Sequence, residues 1–157
     1  MTGIPYDDVT QWRGPYPVET FISQFEKLSA GWQLGIPFLK AAVDVAPQER
    51  HDDARAELRY AQAAAIHFQS VANQARFIVA HDTLTNMAQT LGAEEQKALR
   101  SEIRRVLESE IDLARQLFAL AQVDSRIGFE AANQYFYVPL DLVGKVINCR
   151  WLLEHFD

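Results

Sequence analysis

Apolar residues recur at three- and four-residue spacing along most of the chain, the repeat of helices that bury one face. Phe21, Phe25, Leu28, Trp32, Ile36, Leu39 and Val43 predict a first long helix from about Pro17 to Val45. Gly35 and Pro37 interrupt it, and Pro37 has no N–H to offer the carbonyl of Gln33, so a kink or break is expected there. Leu58, Ala61, Ala65, Phe68, Ala72, Ala75 and Val79 predict a second helix from about Pro47 to Gln89. Its alanines let a partner helix come close. Its length suggests a bend or break near "AHDTLT", and Gly92 suits its end. A third helix begins near Ala93, with Glu94 and Glu95 in a first turn that favours negative charge. Leu99, Ile103, Leu107, Ile111, Ala114, Phe118 and Ala121 mark its inner face, while "RSEIRRVLESEID" reads as charged on the other. A fourth starts around Pro139, with Leu140, Val143, Val146, Ile147 and Leu153 apolar. Only "QYFYV" resembles a strand, and weakly. The expected fold is all-α: a bundle of about four helices with antiparallel neighbours, the first kinked near Gly35–Pro37. Residues 1–16, rich in Pro, Gly and aromatics, read as an irregular segment or linker pinned against this domain or a neighbour. Residues 17–157 form the helical domain.

Composition narrows the partners. The 157 residues carry a formal charge of −6, and their basic residues are scattered. A nucleic-acid backbone or an anionic membrane surface is therefore not the expected partner. No apolar run approaches the roughly 20 residues of a membrane span. The N-terminus lacks a charged start followed by an apolar stretch. If the chain is whole, a soluble cytoplasmic protein is expected; for a fragment of a longer protein the compartment stays open. Cys149 is the single cysteine and lies in the apolar pattern "KVINCRWLL", so a buried, inert thiol is expected and no internal disulfide can form.

Most helical-bundle chemistry is missing. The residues three before His51, His67, His81 and His155 are Gln48, Ala64, Ile78 and Leu152, so no Glu-x-x-His pair exists for a di-iron centre. No His-x-x-x-His, phosphate-binding glycine loop or Gly-x-Ser-x-Gly elbow occurs. No metal or cofactor is expected. Glu108 and Asp112 stand four apart, but among arginines on a face expected to be wet. Arg104 and Glu108 fit an ordinary surface pair. His67 in "AAIHFQS" reads first as a satisfied core histidine and second as a ligand or catalytic group. Asn73, Gln74 and His81, around "NQARF", read as polar groups at the edge of the core or at a helix or domain contact.

The segment "DSRIGFEAANQYFYVP", Asp124 to Pro139, stands out. As a helix connection it would cap the core with Phe129 and Phe136, and Arg126 would pair with Glu130. As a recognition surface it would present Arg126, Glu130, Asn133, Tyr135 and Tyr137. Tyr and Arg are enriched at binding hot spots, and aromatic faces beside amides and carboxylates suit carbohydrate or a partner domain.

The pattern "DSRIGFEA-N-YFY" followed by "PLDLVGKVINCRWLL", with "FEKLSAGWQLGIPFL" and "HFQSVANQARF" before it, resembles the C-terminal all-helical region of large bacterial glycoside-hydrolase-like proteins. Those are TIM-barrel proteins, broadly of the β-hexosaminidase kind. The likeness spans about Phe21 to Leu153, and Ala132 and Gln134 stand where that pattern has a Ser and a His. It implies an accessory C-terminal module, since a barrel needs about 250 residues and eight strands. Any catalytic carboxylate pair would lie elsewhere in the parent. The expected function is an accessory, non-catalytic domain of a carbohydrate-active protein. Its segment from Arg126 to Tyr137 would dock to the catalytic domain or border the substrate cleft, with that domain or a carbohydrate as partner. The alternative is a free-standing helical binding protein, a homo-oligomer through an exposed helix face. A third expectation, an enzyme using His67 or His81 with a nearby acid, has no motif behind it.

Overall fold

The computed structural model describes residues 7–127 and 138–155. The described chain is helical, without a strand. Helix α1 is a single turn, Val9–Trp12; α2 runs over Val18–Val45; a 3-10 turn at Gln48–Arg50 leads into α3, His51–Met87; α4 spans Ala93–Val123 and α5 spans Pro139–His155. The all-α bundle expected from periodicity is what forms.

Cross-helix partners fix the directions. Glu26 reaches Arg76 and Trp32 reaches Ala61, so α2 and α3 run antiparallel. Tyr60 meets Asp124 while Arg76 lies beside Glu102, so α3 and α4 also oppose. Leu142 packs with Ala114 and Leu117, and Cys149 with Ile103, Leu107 and Ile111, so α5 returns along α4. Packing follows chain order, α2 on α3, α3 on α4, α4 on α5, and α2 makes no extended contact with α5. The bundle is an array with two open flanks, not a closed ring.

Among the described residues three apolar clusters make the core. Ala80, Leu84, Ile103, Leu107, Ile111 and Cys149 form one. Ile66, Ala114, Leu117, Ile127 and Leu142 form the second. Val9, Ile22 and Ala75 form the third, so the N-terminal stretch is pinned to this domain. It is also less irregular than expected, because the Asp8 carboxylate accepts from the Gln11 backbone N–H at 3.0 Å and caps α1.

Several expectations need correction. Helix α2 is helical on both sides of Pro37, so of the kink or break expected near Gly35–Pro37 the break does not occur. Pro37 is exposed, and water can solvate the carbonyl it leaves without a donor. Helix α3 continues through "AHDTLT" for 37 residues, about 55 Å, because Ala80 and Leu84 are buried in the first cluster on either side of His81–Thr83. Gly92 does not close α3. It is the residue before α4, in extended conformation, and its N–H donates to Glu95 Oε2 at 2.8 Å. The apolar face of α2 is only partly covered. Ile22 and Ile36 are buried, yet Leu28, Trp32 and Leu39 of that face remain exposed, as do Leu34 and Phe38 beside it.

Ile103 is almost fully buried and Phe38 is 77% exposed. Ile103→Ala is expected to cost about 2–5 kcal/mol in urea unfolding, and Phe38→Ala no more than about 0.5 kcal/mol. Comparable losses in both would place Phe38 in the core.

Candidate functional site

Helix α3 is the middle element, and its polar residues Ser70 and Asn73 stand one turn apart. Alanines beside them bring the neighbouring backbones near, so both side chains fall into the seam with α4 and α5. Ser70 and Asn73 are 2% and 1% exposed, and Glu110, which meets them from α4, is 5% exposed. A carboxylate so deep requires partners. Ser70 Oγ donates to Glu110 Oε2 and Asn73 Nδ2 to Glu110 Oε1, both at 2.8 Å. Lys145 of α5 forms an ion pair with Glu110 and donates to Ser70 Oγ at 2.9 Å. Asn73 also donates to Ser109 Oγ at 2.9 Å and accepts from Gln69 Nε2 at 3.1 Å. Gln74 donates to Ser70 Oγ at 2.9 Å. The cluster ties three helices through side chains far apart in sequence.

A cavity of about 330 Å³ opens onto this cluster. Asn73, Glu110 and Lys145 form its polar end, and Phe77, Ile78, Val106, Leu107, Cys149 and Leu152 form apolar wall. Among the described residues, Gln74 and Asp7 also line it. Cys149 is buried as expected, and burial, reinforced by the Glu110 charge, raises its thiol pKa. The neutral thiol predominates near pH 7, which suits packing and not nucleophilic attack.

The expected site residues separate. Asn73 is inside the core and not at its edge, at the contact of α3 with α4. Gln74 is at that edge, exposed yet bonded inward to Ser70. His81 is half-buried, stacked on Phe77 at 5.7 Å between ring centres, with Nδ1 3.3 Å from Asp82 Oδ1. It does not line the cavity. His67 is not a core histidine. It is exposed on α3, its ring tilted against Phe68 at 5.9 Å. Partial desolvation, then the charge of Lys145, lowers its pKa below 6.5.

Arg126 takes Asp124 as its carboxylate. Its Nη2 and Nε donate to the two Asp124 oxygens at 2.7 and 2.9 Å, and its backbone N–H donates to Oδ1 at 3.1 Å. The guanidinium lies over the Tyr60 ring at 5.6 Å, and Tyr60 O–H donates to Asp124 at 3.3 Å. These bonds, the Arg126 side chain first, hold the Asp124 carboxyl far below the usual carboxylate range. Arg126 thus fastens the end of α4 to α3. Glu130, Asn133, Tyr135 and Tyr137 lie outside the described residues.

Glu110 and Lys145 were missed because each sits in a charged or mixed stretch. Glu110 follows Leu107 by three and precedes Ala114 by four, on the register of the buried face; "ESEID" therefore reaches inward at one position. Lys145 follows Leu142 by three and precedes Cys149 by four, on the buried face of α5. A charge on an apolar register was the available signal. Among the described residues no group of His, Cys, Asp and Glu could hold a metal ion. No described helix is long and apolar enough to cross a membrane. No protein family, curated protein or solved structure matches the chain.

Lys145→Met alone leaves Glu110 buried without its counter-charge and is expected to cost about 3–5 kcal/mol in urea unfolding. Glu110→Leu combined with Lys145→Met is expected to recover most of that loss; a double variant as unstable as the single one would show that the ion pair is not what the site needs. The His67 pKa is lower folded than unfolded, so the unfolded chain takes up that proton first as pH falls. Its contribution is complete above about pH 6.5 and declines as pH drops through that value toward the native pKa. Titration of the His67 ring by NMR is expected to give a midpoint below 6.5, and His67→Gln to flatten the stability slope there; an unshifted midpoint would contradict both.

Proposed function

We propose that this chain is an accessory, non-catalytic helical module of a carbohydrate-active, glycoside-hydrolase-like protein, held against the catalytic domain of its parent chain. One observation carries the docking part. Leu140, Val143, Ile147 and Trp151 repeat at three and four along α5, opposite its buried side, and are 79%, 44%, 60% and 57% exposed. A continuous apolar stripe of this kind, on a helix at an open flank, is a surface for another protein. The exposed Trp32, Leu34 and Phe38 at the opposite flank extend the same property. The resemblance of Asp124–Pro139 and α5 to the helical C-terminal region of barrel hydrolases supplies the identity of the partner.

The geometry also supports a non-catalytic role. Glu110 and Lys145, the most buried charged pair described, satisfy each other with Ser70 and Asn73. Asp124 is engaged by Arg126 and Tyr60. Such groups fasten helices together, and the Cys149 thiol beside them is held neutral by burial.

The reading frame upstream is expected to encode a barrel-sized domain, and the two parts to co-elute when co-expressed. Ile147→Glu with Trp151→Glu is expected to weaken that association at least tenfold, while the chain's own Tm moves by no more than about 2 °C. Undiminished association would move docking to another face. No such domain, together with a dimer split by the same substitutions, would replace docking by self-association. Calorimetry of the isolated chain against mono- and oligosaccharides is expected to show no saturable heat. Binding lost in both Tyr135→Ala and Glu130→Ala would make that segment a sugar site.

A further inference from the structure

We propose that the cavity between α3, α4 and α5 is a binding site for a small, uncharged amphipathic molecule, with a hydroxyl head on the Glu110–Lys145 pair and a hydrocarbon body against Phe77, Ile78 and Leu152. The argument is independent of the docking role.

Size comes first. About 330 Å³ is at the lower end of small-molecule sites, room for a compact ligand and not for a peptide. The lining is strongly divided. Phe77, Ile78, Val106, Leu107 and Leu152 offer hydrocarbon, while the polar groups of Asn73, Glu110 and Lys145 gather in one hydrogen-bonded cluster; the other polar lining residues, Gln74 and Asp7, are exposed. Such a division selects a molecule that is polar at one end only. A sugar ring, polar around its whole rim, would leave hydroxyls against hydrocarbon.

Charge comes second. The cluster holds one carboxylate and one ammonium in contact, which largely cancel. Asp7 adds a further carboxylate to the lining, which disfavours an anionic ligand. A cationic head would have to compete with Lys145 for Glu110.

Hydrogen-bond capacity decides the head group. An ammonium has three donors. Among the described residues Lys145 spends them on Glu110 and Ser70, leaving one. A carboxylate has about four acceptor sites. Ser70, Asn73 and Lys145 fill three on Glu110, leaving one. One donor and one acceptor, on side chains in contact with each other, are the complement of a single hydroxyl, which accepts from Lys145 and donates to Glu110. The Lys145 side chain is 27% exposed, so water reaches it and a ligand hydroxyl would take the place of that water.

The probes are 1-hexanol, hexanoate and hexylammonium, which share a body and differ in head charge. Each is titrated at pH 7 into the full chain, labelled with nitrogen-15, and followed by NMR. Hexanol is expected to shift the side-chain amide signals of Asn73 and Gln74 and the backbone amide of Cys149 saturably, with Kd at least about tenfold below those of the two ions. Ile78→Trp fills the apolar wall without touching the polar cluster and is expected to abolish the effect. Leu152→Trp blocks the cavity from α5 and replaces it if Ile78→Trp does not fold. No saturable shift with hexanol would overturn the proposal. Equal affinity for all three probes would overturn the hydroxyl assignment, and binding that survives the tryptophan block would place the ligand elsewhere.

Discussion

The carboxylate of Glu110 is the group on which the arrangement of three helices depends. An ionised side chain removed from water loses several kcal/mol of solvation, and the loss is tolerated only where the group is paired and hydrogen-bonded. Here the partners come from two other helices: Ser70 and Asn73 from α3 and Lys145 from α5. A slide of α3 by four residues, about one turn, would bring Ile66 or Gln74 to the carboxylate in place of Ser70, and Gln69 or Phe77 in place of Asn73. A slide of α5 would withdraw the ammonium. Apolar contacts among Ile66, Leu117 and Leu142 would tolerate such shifts with modest loss, because alkyl groups of similar volume are interchangeable. The polar cluster discriminates between registers that the apolar core alone would leave close in energy.

A second set of charges does the corresponding work on the other side of α3. Arg76 Nε donates to Glu26 at 2.5 Å, and its Nη2 donates to Glu19 at 3.0 Å. The same guanidinium approaches Glu102 of α4 at 3.7 Å, and Glu102 in turn accepts from Arg105. One arginine therefore bridges α2, α3 and α4, while Trp32 donates to the Ala61 carbonyl at 2.7 Å farther along α2. These groups are partly exposed, so each contact contributes less than its counterpart in the Glu110 cluster. The order of packing follows. The α3–α4–α5 seam is fixed by buried charge, and α2 is attached by half-buried charge and a partly covered apolar face.

Much of this fold was legible because helix periodicity is local. Ile103, Leu107, Ile111 and Ala114 declare a buried face from spacing alone, and the structure buries all four. The departures have local causes. A break at Pro37 or in "AHDTLT" is what local propensity suggests, whereas burial of neighbouring turns decides whether a helix continues. Gly92 was given to the wrong helix because glycine suits either end and only Glu95, three residues on, distinguishes them. The candidate site was harder still. Ser70 and Glu110 are 40 residues apart, and Ser70 and Lys145 75. No local pattern reports such pairings. His67 illustrates the converse: an apolar neighbourhood in sequence, "AAIHF", still leaves the ring on the exposed side when the helix turns 100° per residue.

The two surfaces of α5 follow from its two kinds of residue. Leu142, Lys145 and Cys149 face inward, so the helix cannot rotate without removing the ammonium from Glu110. That constraint holds Leu140, Val143, Ile147 and Trp151 outward, although burying them would gain apolar contact. Rotation that covered the stripe would forfeit the ion pair, and breaking a buried pair costs about 3–5 kcal/mol. Burying the stripe would at the same time expose Leu142 and Cys149 from the opposite side, so an apolar gain of about 1.5–3 kcal/mol per side chain at most is largely offset by an apolar loss, and the ion pair decides. The internal charge is strong enough to keep an apolar stripe presented at the surface. A helix held in this way is suited to binding through its outer face, because its orientation is set before any partner arrives.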